Sequence, residues 1–299
     1  IFSLMLCLDS SIKHIKKKGI DLHDKKIYGK NLDLIIEELS IFESKTKDLC
    51  YPTGINALRK NYNINYLKIS GMSAIQDYVC RRENIEYIYN VLKELGYNEI
   101  ENPFIIEVEC ENRKIEVLSS CSEEKVFKKD EIYIAIFPER SIYYKIKGRK
   151  ILEETIIIPK DAEKFTIFSK ILRYNKKDFT DIIFLALESG NIFNKIDEKD
   201  VLNFVFDYSE AARLDRRDLI NQLYLNLVDL LDNLERIIEY RNRIFSGCCY
   251  SPNDFNVSFV TDALNLYLFN VFNTKKEHEL LIGYSELKRI MEIIKNINK

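Results

Sequence analysis

Near residue 160 the chain changes period, and that change constrains its fold more than any other feature. Before Pro159 the sequence runs through "PFIIEVEC", "RKIEVLSS", "EIYIAIF", "SIYYKIKG" and "KILEETIIIP", β-branched and aromatic stretches parted by polar breaks. Such runs suit a pleated, half-buried surface and read as strands. After Pro159, apolar residues recur every three or four positions, first in "KDAEKFTIFSKILRY" and in "KDFTDIIFLALESG", which Gly190 closes, then from about 196 to the end. That spacing is helical. No repeat or low-complexity linker parts the two regimes, so the expected class is α+β.

Upstream, residues 1 to about 62 read as helices joined by loops. In "NLDLIIEELSIFESK" (31–45), Leu32, Ile35, Ile36, Leu39 and Phe42 follow one helical face. "IKHIKKKG" (12–19) reads as a helix C-terminus whose cations complement the dipole. "INYLKIS" (64–70) reads as a short strand halted by Gly71. A helix is expected from about Ser73 to Leu95, with Gly96 at its C-cap. The expected organisation is a helical N-terminal segment (1–62), an α/β core (63–192) and a helical C-terminal domain (193–299).

Within the last part, Ile220, Leu223, Leu227, Leu230, Leu234, Ile237 and Ile244 alternate in steps of three and four, with Arg241 interrupting. This a/d stripe reads either as a long helix in an intramolecular bundle or as a homodimer interface through residues 216–244.

Composition narrows the function classes. The 299 residues carry a formal charge of −2, so no global field favours nucleic acid. Two local basic stretches remain: "PERSIYYKIKGRK" (138–150), where Tyr143 and Tyr144 sit among cations, and the arginines at 236, 241 and 243. Each reads as a solvated face, or as a surface for single-stranded RNA. The seven cysteines are scattered and show no CxxC pair, so a disulfide framework or zinc site is not expected. Buried thiols in a reducing, cytoplasmic setting are the simpler reading. The three histidines lack metal-ligand spacing. The apolar run Ile1–Cys7 stops at Asp9, far short of a membrane span, and no secretory signal pattern surrounds it.

"RYNKKDFTDI" (173–182) is the densest charge cluster inside an apolar helical pattern. On residues alone it reads two ways. It is a helix–helix turn in which Asp178 or Thr180 caps the second helix. Or it is an Asp/Lys constellation facing a site, since Asp178 and Asp181, three apart, share a helix face.

The order of elements from 64 to 190, with four local motifs, resembles the minimal nucleotidyltransferase-like fold, the broad group that includes the toxin of AbiE abortive-infection systems. "KISGMSA" (68–74) is similar to that family's strand–Gly–helix turn. "IEYIYNVLKELGY" (85–97) resembles its helix ending in Leu-Gly-Phe/Tyr. "RKIEVLSS" resembles the strand that bears its third carboxylate. "IIIPKDAEKFTIFSKILRYNKKDFTDI" resembles its downstream Lys, Lys-Asp and Asp signature.

The resemblance implies a mixed sheet core and a Mg2+-dependent transfer of a nucleotidyl group from a nucleoside triphosphate to an RNA or protein acceptor. It also implies a role in toxin–antitoxin or phage-defence biology. Gly71 and Ser73 would bind nucleotide, Glu86 and Glu116 would hold the metal, Lys170 would contact phosphate, and Asp178 and Asp181 would organise the site. Magnesium takes hard oxygen ligands, which is why carboxylates are needed there. The family's Asp-x-Asp pair has no equal in this chain; Asn84-Ile85-Glu86 stands in its place. The alternative is a non-catalytic binding or interaction protein that assembles through its C-terminal helices.

Overall fold

The computed structural model describes residues 12–23, 25–28, 31–61, 67, 71–101, 105–110, 113–117, 121, 123–147, 150–188, 190–245, 265 and 278–298. The chain divides into two compact units. The first holds residues 1–56, 71–158 and 210–213; the second holds 57–70, 159–209 and 214–299. The class is α+β, with a mixed sheet in the N-terminal half and a helical C-terminal region.

In the first unit the strands are β1 (Ile12–Lys18), β2 (Lys26–Ile27), β3 (Cys50–Pro52), β4 (Met72–Ser73), β5 (Ile75–Cys80), β6 (Asn98–Ile100), β7 (Ile105–Cys110), β8 (Arg113–Val117), β9 (Lys125–Lys129), β10 (Ile132–Pro138), β11 (Ile142–Lys147) and β12 (Lys150–Thr155). Its helices are α1 (Asn31–Lys45) and α3 (Ile85–Glu94), and the short α2 (Ile55–Leu58) starts at its border. Five strands form the mixed sheet in the order β3-β5-β10-β9-β6. β10 lies at its centre, parallel to β5 and antiparallel to β9. Every residue of "IYIAIFP" is buried, as a strand covered on both faces requires. β1, β7 and β8 make a separate antiparallel sheet, and β11–β12 a hairpin.

Helix α1 sits on this sheet through Phe42, whose ring meets Tyr78 of β5 edge-on at 5.0 Å. Two polar ties fix the same helix: the Tyr78 hydroxyl donates to Glu43 at 3.0 Å, and the Tyr97 hydroxyl to Glu38 at 3.1 Å. Burial, then the Glu38 carboxylate, push the Tyr97 phenol far above its ordinary range. Helix α3 ends as the glycine predicts. Gly96 has φ +87°, its N–H donates to the Lys93 carbonyl, and the Tyr97 N–H donates to that of Leu92. That pair of bonds is a Schellman cap.

Several expectations need correction. "IKHIKKKG" is strand β1, paired with β7, because "IIEVEC" supplies the partner that a local reading could not see. The N-terminal segment is therefore helical chiefly over Asn31–Lys45, with strands at 12–18, 26–27 and 50–52. The helix expected from Ser73 starts only after Arg81; Ile75–Cys80 is the strand β5, drawn into the sheet by β10. Gly190 opens a short helix of its own instead of closing the preceding one. The strand expected at 64–70 lies outside the described residues apart from Leu67.

Cys50 and Cys80 form a disulfide. They are directly opposite across β3 and β5, and the Arg81 and Thr53 N–H groups donate to the Leu49 and Asp77 carbonyls on either side. The cysteines thus occupy a non-hydrogen-bonded pair, the closest approach in an antiparallel ladder; their Cα atoms are 4.2 Å apart. This pair departs from the expectation of thiols only, and it removes these two residues from the argument for a reducing compartment.

The second unit is helical: α4 (Ala162–Arg173), α5 (Lys176–Glu188), α6 (Gly190–Asn194), α7 (Glu198–Ala212, whose last residues belong to the first unit), α8 (Arg216–Phe245) and α9 (His278–Ile297). Leu223, Leu227, Leu230, Leu234 and Ile237 of α8 are buried, and that helix packs on α4 and α9. The stripe is therefore occupied within the chain; the side chain of Arg241 and that of Ile244 lie outside the described set. No described helix is long and apolar enough to cross a membrane.

Two stability outcomes follow. A Cβ placed on Gly283 of α9 would stand 2.2 Å from the Ala186 carbonyl oxygen of α5. Gly283→Ala should thus lower stability by at least about 1–3 kcal/mol, read as a fall in the urea midpoint; an unmoved midpoint would mean that these helices stand farther apart. The disulfide closes a loop of sequence separation 30. Its removal in Cys50→Ser/Cys80→Ser should cost about 3–4 kcal/mol on a chain-entropy basis. Equal stability of the wild type with and without reductant would show that the bond does not form in solution.

Candidate functional site

The charged stretch that closes α4 and opens α5 forms a single buried network. Helix α4 starts at Asp161, whose carboxylate accepts the Lys164 N–H at 3.0 Å. It stops at Tyr174, a non-glycine residue at φ +46° whose N–H donates back to the Lys170 carbonyl. Only Asn175 then intervenes before α5. Its side-chain oxygen accepts the Asp178 N–H at 2.9 Å, so Asn175 caps the helix, in place of the expected Asp178 or Thr180. Thr180 instead bonds back to the Lys176 carbonyl within its own helix.

This tight reversal brings the last turn of α4 against the first two turns of α5. The Lys170 ammonium reaches Asp178 at 3.1 Å and Asp181 at 2.5 Å. The Arg173 guanidinium grips Asp178 with two bonds of 3.0 Å, from Nε and from Nη2. The shared helix face expected for Asp178 and Asp181 is present, and both carboxylates point at one lysine. The side chains of Lys170, Asp178 and Asp181 are only 3–4% exposed, while that of Arg173 is 36% exposed. From α8, Asn226 donates to the Ile171 and Leu172 carbonyls at 2.8 and 3.0 Å, satisfying the orphan end of α4. Sequence reasoning passed over Asn175 and Asn226. A buried Asn beside the apolar stripe of α8 was the signal that could have found the second.

Among the described residues, two carboxylates here meet one ammonium and one guanidinium, and the formal charge of the four sums to zero. Burial, the largest single influence, raises the Asp178 carboxyl, but the Arg173 hydrogen bonds and the charges of Lys170 and Arg173 together hold it below the ordinary carboxylate range. Bidentate guanidinium–carboxylate pairs are among the stronger contacts a protein makes. For Lys170 to reach a phosphate it would have to leave two carboxylates in a dry interior, and breaking a buried pair costs about 3–5 kcal/mol.

The other expected site residues lie in the first unit. Gly71 is at φ +70°, and a Cβ there would strike the Tyr28 ring at 2.7 Å. A strand follows it, not a helix, so the turn lacks the helix N-terminus that the resemblance implied for phosphate. Ser73 is buried opposite Lys26, and its hydroxyl donates to the His23 carbonyl at 3.4 Å. Met72 is buried opposite Ile27. Glu86 is exposed in the first turn of α3. Glu116 lies on β8, paired in backbone register with Glu107 of β7, in a different sheet from the one α3 follows. Among the described residues no three His, Cys, Asp or Glu side chains gather as metal ligands. Asp77, expected in mid-helix, is on β5 beside His23, with 3.8 Å between Nδ1 and the carboxylate.

Comparison with protein-family models, with curated proteins and with solved structures returned no match.

Stability should carry the mark of the buried pair. The folded Asp178 carboxyl titrates lower than its unfolded counterpart, so its contribution is fully present above about pH 4–5 and is lost as pH falls through the folded value. Asp178→Asn leaves Lys170 and Arg173 short of a counter-charge and should cost about 3–5 kcal/mol at pH 7. Denaturant titrations across pH 2–7 should show a flatter acid limb for the variant. Parallel acid limbs would remove Asp178 as a source of that pH dependence.

Proposed function

We propose that this chain is a non-catalytic binding or interaction protein, in which the Lys/Asp network joins helices and does no chemistry. The observation that carries this reading is the closure of that network. Lys170, Asp178 and Asp181 are nearly inaccessible, and both carboxylates are committed to cations of the same chain. A group that takes part in phosphoryl chemistry must meet its substrate, and charge stabilisation requires donors aimed at the reacting atoms. Assembly would use the outward faces of the C-terminal helices, where Leu225 and Ile282 stand exposed. A homodimer through residues 216–244 would have to use the side of α8 that bears Leu225, because its heptad stripe is filled from within the chain.

The nucleotidyltransferase-like reading is the second proposal. Its support is the mixed five-stranded sheet, together with Asp77 on the strand just ahead of the helix that begins at Ile85. Under it, Glu86 and Glu116 would hold Mg2+, Gly71 and Ser73 would lie near the nucleoside triphosphate, and an RNA or protein would be the acceptor in a cytoplasmic defence or toxin–antitoxin role.

One calorimetric experiment separates the two. Each of the four nucleoside triphosphates is titrated with Mg2+ into wild type and into Glu116→Ala. The binding-protein reading expects no Mg2+-dependent heat that the substitution removes. Such a heat, lost in the variant, would overturn it and restore the transferase.

A further inference from the structure

We infer that Lys25, Lys128 and Tyr133 form a binding site for a compact phosphate-bearing anion on the first unit. Among the described residues, four lysines of this unit lie over tyrosine rings, and their surroundings differ. Lys125 stands 4.7 Å from the Tyr89 centroid and is held by Glu99 at 3.0 Å. Lys129 stands 5.7 Å from the Tyr97 centroid and is held by Glu38 at 2.5 Å. Lys25 and Lys128 share one ring, that of Tyr133, at 5.4 and 5.5 Å, and among the described residues neither forms an ion pair with a carboxylate. Positive charge is balanced at the first two tyrosines and left over at the third.

The backbone holds this arrangement in place. Lys128 on β9 is directly opposite Tyr133 on β10, so their side chains rise from the same face of the sheet. The Tyr133 N–H donates to the Ala74 carbonyl at 2.9 Å, and the Ala74 N–H donates to the Lys25 carbonyl at 2.8 Å. Three segments distant in sequence are thus laced edge to edge, with Ala74 as the link. Tyr133 is itself buried, so its ring is a fixed wall, while both lysines are exposed.

Two ammonium groups about one ring repel each other, and the ring's negative face offsets only part of that. A polyanion relieves the repulsion and gains both charges. Lysine is a point-charge donor suited to phosphate, with three donors on a flexible stem. The buried ring leaves no open aromatic face on which a base could stack, so the phosphate carries the recognition. The inference does not depend on either reading of the function, and it requires no metal.

The test is a calorimetric titration of pyrophosphate, without divalent cations, into wild type, Lys25→Gln/Lys128→Gln and Lys125→Gln/Lys129→Gln. Wild type and the second double variant should bind with similar affinity, and Lys25→Gln/Lys128→Gln at least tenfold more weakly. Affinity should fall as chloride is raised. Circular dichroism and melting confirm that each variant is folded; should the double variant unfold, the singles Lys25→Gln and Lys128→Gln are read in its place, each expected to weaken binding. No binding to wild type at millimolar pyrophosphate would overturn the site. So would equal loss in both double variants, or retention of a single-stranded oligonucleotide in the absence of pyrophosphate binding.

Discussion

The contact on which the helical unit depends is the one between Lys170 and its two aspartates. It lies where α4 ends and α5 begins, a point at which each helix leaves backbone groups unsatisfied. The C-terminus of α4 presents carbonyls and a partial negative charge, which a cation in its last turn favours. The N-terminus of α5 presents N–H groups and a partial positive charge, which Asp178 favours. The ion network therefore joins two helix dipoles head to tail. It is buried because Tyr174, in the left-handed region, lets the chain reverse within two residues. Asn226 then ties α8 to the same place, so three helices meet at one polar knot inside an apolar bundle. A buried network is tolerable when every member is satisfied, and here the carboxylates, ammonium and guanidinium answer one another.

That closure gives the stretch a structural account. Charge in an apolar pattern attracts a functional explanation, because ionisable groups are rarely buried without cause. A structural cause is available here. Hydrophobic residues alone would let α4 and α5 slide past each other, whereas a bidentate Arg173–Asp178 pair and a shared Lys170 admit one register. The lysine that the resemblance assigns to phosphate is the one that holds this reversal.

Much of this was legible in the sequence, and the limits were physical. Strands β7, β8, β10, β11 and β12 are legible because β-branched alternation is a local signal, and so is α8, whose three-and-four spacing runs unbroken from Ile220 to Ile237. Strands β1 and β5 are hidden from local periodicity for a shared reason. "IKHIKKK" and "IQDYVC" are made strands by β7 and by the neighbours β3 and β10, and a partner distant in sequence leaves no mark on local periodicity. Strand β9, "KVFKK", gives no local signal because three of its five residues are lysines, whose ammonium groups stand over tyrosine rings in the fold. The shared face of Asp178 and Asp181 is legible in their spacing; the approach of Lys170 to both, and the burial of all three, is not. Burial depends on helices that meet only in the folded chain; the buried Asn226 of α8, bonded to the end of α4, is one sign of it. The Cys50–Cys80 bond depends likewise on β3 lying beside β5, a pairing invisible to cysteine spacing.

The same logic explains why the lysines of β9 differ from one another. Lys125 and Lys129 are two of the strand's charges, and each finds a glutamate delivered by an adjacent element, β6 or α1. Lys128 alternates to the opposite face, where the neighbour is not an acidic helix but the segment around Ala74 that brings in a second lysine. Strand period thus sorts one run of like residues into a stabilised pair and an uncompensated one. Among the described residues this second pair has no carboxylate partner, and its contact with the Tyr133 ring adds little to the fold. Its placement against a fixed aromatic wall is a feature that stability does not require, and such a feature is where a ligand is to be sought.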